Sequence, residues 1–158
     1  MKSQKKKAIK KIVLATLVVC LIIGSYFTYD VFFRPHRDVK NTKADFAINA
    51  ANLVDEYLAN ADKANLKYLS EDGDSKIFEV EGRVDQVFKN QKNQDVVLLK
   101  GEGKELGVQC TFILGESIIG IEVGSQIKVK GKIEQGASYD TDLEIGDDVI
   151  IGECSLVK

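Results

Sequence analysis

The feature that most constrains this chain is an uncharged apolar stretch near its N-terminus. Residues 12–29 include no charged side chain, and the apolar character continues to Phe33 if Asp30 lies near an interface. At about 1.5 Å per residue, a helix of roughly 18–22 residues spans about 27–33 Å, which is the thickness of the hydrocarbon core of a bilayer. We therefore predict a transmembrane helix over residues 12–33.

Lysines set the predicted orientation of this helix. The first eleven residues carry six lysines and no acid, whereas aromatic residues cluster at the other end of the apolar stretch. Because basic flanks stay in the cytoplasm, residues 1–11 are predicted to be a basic cytoplasmic tail. The chain after residue 33 is predicted to be extracytoplasmic, on the periplasmic or cell-surface side.

An apolar N-terminal stretch has two alternative interpretations besides a membrane anchor. A cleaved secretory signal would have a shorter apolar core and a small-x-small cleavage site. Lipidation at Cys20 would need a small residue immediately before it, where Val19 stands. A single-pass anchor is the interpretation that we favour, with Cys20 as an apolar residue of the helix.

The part after the anchor is acidic, and this limits its partners. From Arg34 onward, 16 Lys and Arg stand against 23 Asp and Glu. Polyanion binding needs clustered basic side chains that displace counterions, so nucleic-acid binding is disfavoured for such a domain. The length leaves room for one domain of about 100 residues beyond the anchor.

The spacing of apolar residues changes along this outer part. Residues 34–42 are charged, contain the only proline and are predicted to be a tether. In residues 43–69, apolar side chains recur every three or four positions from Phe46 onward, which predicts an amphipathic helix or helix pair with Thr42 as its N-cap. After residue 75 the period falls to two, which is typical of half-buried strands. Five strands are expected, at residues 76–85, 95–99, 108–112, 127–133 and 149–157.

Glycines in the middle of strands indicate a small closed barrel. Gly82 and Gly131 lie in the similar segments 80–84 and 129–133. A glycine weakens a strand unless the strand coils sharply or another backbone approaches closely, and small barrels require such coiling. The predicted fold is mainly β: a five-stranded OB-fold barrel over residues 75–158, preceded by the amphipathic helix and the N-terminal transmembrane helix.

Several segments together resemble a known family. They are Ala-Asn-Leu-Lys-Tyr-Leu at 64–69, Val-Glu-Gly-Arg-Val at 80–84, Val-Gln-Cys-Thr-Phe at 108–112, Gly-Ser-Gln-Ile-Lys-Val-Lys-Gly at 124–131, and Cys154. Their order and spacing resemble the tRNA_anti-like family of OB-fold proteins over about residues 52–158. The resemblance implies a bacterial, exported or membrane-tethered protein with a helix beside the barrel. The family name records likeness to anticodon-binding domains and assigns no activity. The acidic loop at 137–148 departs from the family pattern.

Two cysteines are candidates for a disulfide. Cys110 and Cys154 fall on the third and fifth predicted strands, which are neighbours in an OB barrel. Paired strands lie about 5 Å apart, and a disulfide needs Cα atoms within about 4.4–6.8 Å. An extracytoplasmic location permits the bond. The alternative is two free cysteines that fill a tight barrel core.

A basic stripe and a few aromatic residues bear on nucleic-acid binding. Single strands bind OB barrels through a basic groove and exposed aromatic side chains on which bases stack. Lys128, Lys130 and Lys132 are expected on the outward face of the fourth strand, as a candidate binding stripe. Phe78 and Phe112 are predicted to point inward. The candidate stacking platforms are therefore Phe88 and Tyr139.

Catalytic and metal-binding motifs are missing from the sequence. The only histidine, His36, lies in the tether, and no C-x-x-C pair is present. Counted from Asp140, the acidic loop has isoleucine at the sixth and twelfth places, where an EF-hand has Gly and Glu. Segment 101–104, Gly-Glu-Gly-Lys, lacks the Ser or Thr and the following helix of a phosphate loop. We expect no enzyme activity, no cofactor and no metal site.

These observations predict a function without catalysis. The expected protein is a membrane-anchored extracytoplasmic OB-fold module that binds a protein or a small ligand. The alternative is an OB-fold protein that binds single-stranded nucleic acid.

Overall fold

The computed structural model of the chain describes residues 16, 18–25, 29, 38–69, 76–116 and 118–157. Residues 1–36 and residues 37–158 are two compact units. In the first unit, residues 18–25 are helical and exposed. The predicted basic tail, much of the predicted span and half of the tether lie outside the described residues. Among the described residues, no helix has the length and apolar content needed to cross a membrane.

A strand and two helices open the second unit. They are β1 (Phe46–Asn49), α1 (Ala50–Ala59) and α2 (Ala61–Tyr68). The Asn49 side chain caps α1 by accepting the Ala51 N–H, and the Asn60 side chain caps α2 by accepting the Lys63 N–H. Each cap satisfies an N–H that the first helical turn leaves unpaired.

Two helices lie within residues 43–69, where an amphipathic helix or helix pair is predicted, but the first residues of this segment are not helical. Residues 46–49 are extended rather than helical, and Thr42 caps neither helix. The physical reason is a long-range pairing, because Phe46 lies beside Phe78 in a parallel ladder. Backbone hydrogen bonds to a strand about thirty residues away decide the conformation of this segment.

The described residues of this unit form seven further strands. They are β2 (Ile77–Lys89), β3 (Asp95–Lys100), β4 (Gly107–Phe112), β5 (Gln126–Gln135), β6 (Ser138–Asp140), β7 (Ile145–Asp147) and β8 (Val149–Leu156). β2 pairs with β3, β3 with β4, β8 with β5 and β5 with β2, all antiparallel, while β4 pairs with β8 in parallel. These pairings close a barrel of β2, β3, β4, β8 and β5. The five predicted barrel strands and the mainly β class are confirmed.

The barrel closes because the long strand β2 pairs with two other barrel strands, β5 and β3. Its first half, to Arg83, pairs with β5, and its second half, from Arg83, pairs with β3. A bulge at Asp85 separates Val84 from Gln86 in the ladder with β3 and bends the strand. Such a bend lets one long strand take part in both sides of a small barrel.

Close approach explains the two mid-strand glycines. A Cβ on Gly131 would stand 2.8 Å from Cys154 Sγ and 2.9 Å from the Gly152 carbonyl oxygen. A Cβ on Gly82 would stand 2.9 Å from the Ala50 Cβ. Neither position has room for a side chain, so close packing, in addition to the predicted coiling of the strands, accounts for these glycines.

The core of the barrel is covered by elements outside it. On α1, Leu53, Val54 and Tyr57 are buried against the barrel interior. In the connection between β4 and β5, Ile118 and Ile121 are partly buried against the same core. Burial of each large apolar side chain contributes about 1.5–3 kcal/mol, so α1 is part of the folding unit rather than an appendage.

The acidic segment predicted as a loop forms a small hairpin instead. β6 and β7 pair antiparallel, and Glu144 adopts a left-handed conformation (φ 54°) in the turn between them. At the base of the hairpin, Asp148 accepts hydrogen bonds from the Gly107 N–H (2.7 Å) and from Gln109 Nε2 (2.9 Å). These bonds fix the hairpin to the first residues of β4.

Candidate ligand-binding face of the barrel

The outer face of β3 and β4 is the first part of the candidate site. Along β3, Val97 and Leu99 point into the barrel, so Val96 and Leu98 point outward, yet both are almost fully buried. On β4, Gln109 and Thr111 lie beside them on the same outer face. The face therefore has an apolar floor with polar neighbours.

An exposed aromatic side chain borders this floor. Phe88 on β2 is paired with Val96, which is paired in turn with Thr111. The Phe88 side chain is 41 % exposed, whereas Phe78 and Phe112 are completely buried in the core, as predicted. Tyr139, the second predicted platform, lies on β6 and is also exposed.

A groove of about 520 Å³ lies at one end of this face. Amide side chains of the β2–β3 turn form one wall, and Thr111, Ile113 and Leu114 lie next to them. Gly152 and Glu153, at the register shift of β8, also line the groove. The groove thus combines amide, carboxylate and exposed apolar groups.

The amide wall is held in place by its own hydrogen bonds. Asn90 Oδ1 accepts the backbone N–H groups of Lys92 and Gln94, and Asn90 Nδ2 donates to Gln94 Oε1 at 3.1 Å. Gln94 Nε2 also donates to the Phe112 carbonyl oxygen at 3.3 Å, which fastens the turn to β4. Preorganised polar groups of this kind suit the recognition of a polar ligand, because little ordering remains to be done on binding.

The predicted basic stripe is present but largely compensated by carboxylates. Lys128 Nζ lies 3.2 Å from Glu79 and 3.8 Å from Glu81, both on the neighbouring strand β2. Lys132 Nζ lies 2.8 Å from Glu153. Lys130 sits across from Glu79 in the same ladder, although its side chain lines a different groove beside Ser155. A stripe balanced by acids offers little net attraction to phosphates.

Cys110 and Cys154 lie together inside the barrel. They are on the paired strands β4 and β8, both are fully buried, and both are free thiols in the structure. Burial, followed by a hydrogen bond with Cys110, raises the pKa of the Cys154 thiol well above its usual value. The sequence therefore placed the two cysteines correctly as neighbours, and the predicted disulfide between them stays a prediction.

The acidic side chains of the barrel unit bear on metal binding. Within the described ranges, no group of three or more His, Cys, Asp or Glu side chains is arranged to hold a metal ion. In the acidic hairpin, Asp140 Oδ1 instead accepts the N–H groups of Asp142 and Leu143 and shapes the turn.

Sequence reasoning missed most of this face. Asn90 and Gln94 are not among the predicted site residues, although an Asn that begins a turn often bonds the backbone two residues on. Residues 95–99 are predicted as one of the half-buried strands. Four consecutive apolar residues are typical of a strand covered on both sides, and this signal could have marked the outer floor.

The barrel topology defines the class of this protein. A closed five-stranded barrel in this pairing order is OB-fold-like, and proteins of this class commonly bind ligands on the face of the second and third barrel strands, here β3 and β4. The sequence model of the tRNA_anti-like family matches residues 1–143, and the chain belongs to this family. A comparison with the curated proteins finds no match.

Proposed function

We propose that this chain is a non-catalytic binding module that takes a protein or small ligand on the outer face of β3 and β4. The observation that carries the proposal is the groove at the end of this face, where the fixed amides of Asn90 and Gln94 stand beside exposed Ile113 and Leu114. A few placed polar groups beside apolar surface are typical of a ligand site.

The cellular setting is part of the same proposal. Residues 12–33 anchor the module in a membrane, and the barrel acts on the extracytoplasmic side. The length of the apolar stretch and the six lysines before it support this arrangement. The proposed lack of catalysis is supported by the sequence, whose single histidine lies in the tether.

Binding of single-stranded nucleic acid is the second candidate function. Exposed Phe88 at the border of the β3–β4 face favours it, because bases stack on such rings. Two observations disfavour it. Lys128 and Lys132 form ion pairs with carboxylates, and the outer part carries more acidic than basic residues, so little positive charge is left to attract phosphates. We therefore rank it below a protein or small ligand.

The variant Thr111→Arg separates the two functions. It places a long cation on the face, which blocks a protein or small ligand but adds attraction for a nucleic acid strand. Phe88→Ala is the complementary variant, because a stacking platform contributes about 1–3 kcal/mol per base. Thr141→Arg, in the exposed β6–β7 turn, is the matched control, because it makes the same substitution away from the groove.

Two measurements use these variants in the full-length chain. Retention on a single-stranded DNA column is measured at low and high salt, and protein partners are recovered by crosslinking in intact cells. The proposal expects no salt-sensitive retention and a crosslinked partner that Thr111→Arg loses and Thr141→Arg keeps. Strong retention that falls with salt and with Phe88→Ala would replace the proposal with the second function.

A further inference from the structure

A second groove lies along the outer edge of β1, away from the face described above. Its volume is about 580 Å³. The lining residues are Phe46, Ala47 and Ile48 of β1, Asn52, Asp55, Glu56 and Ala59 of α1, and Lys67 and Tyr68 of α2. The four α1 residues recur at helical spacing, opposite the face of α1 that packs on the barrel. The groove is therefore walled by two helices and floored by a strand.

The strand offers backbone groups that lack a partner strand. Within residues 38–69 and 76–157, β1 is paired with β2 alone and forms one edge of the six-stranded sheet. Ile77 faces β1, since its carbonyl oxygen accepts the Asp45 N–H at 2.8 Å. With Phe46 beside Phe78, strand alternation directs the backbone groups of Phe46 and Ile48 toward β2 and those of Ala47 away from it. Ala47 thus presents an N–H and a C=O to the groove.

The edge of β1 carries none of the residues that commonly prevent pairing, such as a lysine, a proline or an inward charge. The sequence of β1 is Phe-Ala-Ile-Asn, and its ladder with β2 is regular over all four residues, without a bulge. The strand is short and lies beside two helices, but Ala47 remains exposed and can receive an added strand.

The charges at the rim already have partners. Lys104 Nζ lies 2.7 Å from Asp55, while Glu56 Oε2 accepts hydrogen bonds from Lys67 Nζ (2.7 Å) and the Tyr68 hydroxyl (2.6 Å). The floor, by contrast, is apolar, with Phe46 and Ile48 packed partly against the core. A balanced rim over an apolar floor favours a segment with apolar side chains and no strong charge.

We propose that this groove binds an extended peptide segment of a partner protein, which pairs with the edge of β1 as an additional strand. Main-chain hydrogen bonds to Ala47 hold the segment, as in other cases of strand addition. One or two apolar side chains of the segment pack on Phe46 and Ile48. The site is separate from the β3–β4 face, so each can fail without the other.

Two variants remove the proposed contacts in different ways. Ala47→Pro deletes the outward N–H and leaves the bonds of Phe46 and Ile48 to β2, since proline is accepted on an edge strand where the N–H faces outward. Ala47→Ser is the matched control, because it keeps the N–H and adds little volume. Ala59→Trp fills the groove from the end of α1 and leaves β1 unchanged.

The probe is a library of blocked decapeptides in which apolar residues alternate with uncharged polar ones. Peptides selected on the full-length chain in detergent should bind Ala47→Pro and Ala59→Trp about tenfold or more weakly. They should bind Ala47→Ser within about twofold of the original chain. Hydrogen exchange at the Ala47 amide should slow when a selected peptide is bound.

Four outcomes would overturn the proposal. The library could yield no binder, or the selected peptides could bind Ala47→Pro as tightly as the original chain. Protection could fall on Val96 and Thr111 rather than on Ala47, which would assign the peptides to the β3–β4 face. Sedimentation could show a dimer that Ala47→Pro dissociates, which would make a second copy the occupant of the edge. If circular dichroism shows that Ala47→Pro does not fold, Ala59→Trp is the test instead, and selected peptides that bind it as tightly as the original chain would overturn the proposal.

Discussion

A buried hydroxyl in α1 allows a quantitative prediction about stability. The Tyr57 side chain is 2 % exposed, and its hydroxyl has no hydrogen-bond partner in the part of the chain that the structure describes. Its ring lies against Gly136, so the packing of Tyr57 depends on the ring rather than on the hydroxyl. A buried hydroxyl without a partner costs about 1–3 kcal/mol. Tyr57→Phe should therefore raise the free energy of unfolding by about 1–2 kcal/mol.

Urea and thermal unfolding of the full-length chain measure this change. For a unit of this size, a gain of about 1–2 kcal/mol should raise the Tm by about 4–8 °C. The matched control is Tyr68→Phe, because the Tyr68 hydroxyl donates to Glu56 at 2.6 Å and its loss should lower the free energy of unfolding by about 0.5–1.5 kcal/mol. A Tyr57→Phe variant that is no more stable than the original chain would show that the hydroxyl is satisfied, for example by an ordered water.

Three further predictions follow from the core. Burial, and then the charge of Tyr68, raises the pKa of Tyr57 from 10.0 to about 12. Because the folded state holds this proton more tightly than the unfolded state, the free energy of unfolding is highest below pH 10 and falls as the pH rises toward 12. Urea titrations between pH 9 and 11 should therefore show falling stability, and the fall should be smaller in Tyr57→Phe. Gly131→Ala should lower the free energy of unfolding by about 1–3 kcal/mol, because the added methyl group would meet Cys154 Sγ and Ile151. An unchanged urea midpoint would show that β8 does not pack this closely on Gly131. The predicted disulfide between Cys110 and Cys154 is tested in a Cys20→Ser variant that is isolated from cells and unfolded without reductant. We expect no free thiol, because the extracytoplasmic side permits the bond. Two labelled thiols would contradict the predicted disulfide.

The periodicity of the sequence predicted the barrel because local patterns determine it. Phe78, Val80 and Val84 alternate with charged residues, and the structure buries all three in the core. The helix pair was predicted for the same reason, from Leu53, Val54 and their neighbours. The beginning of this segment was not predicted correctly, because Phe46 fits the helical spacing of the residues after it as well as it fits a strand.

Other features depend on register, which a single sequence does not display. The outward position of Lys128 follows from alternation, but its ion pair with Glu79 requires the alignment of β5 on β2. The β6–β7 hairpin has three residues in each strand, too few for a period to be recognised. The groove beside β1 likewise exists only because two helices turn back over the edge of a strand.

The central claim is that a membrane anchor presents this binding module outside the cytoplasm. Protease added to intact cells or spheroplasts tests it most directly, with detection of the C-terminal part and a cytoplasmic protein as the control. We predict that the barrel unit is cleaved while the cytoplasmic control stays intact. A C-terminal part that survives until the cells are lysed would contradict the orientation, and with it the proposed class of partners and the disulfide.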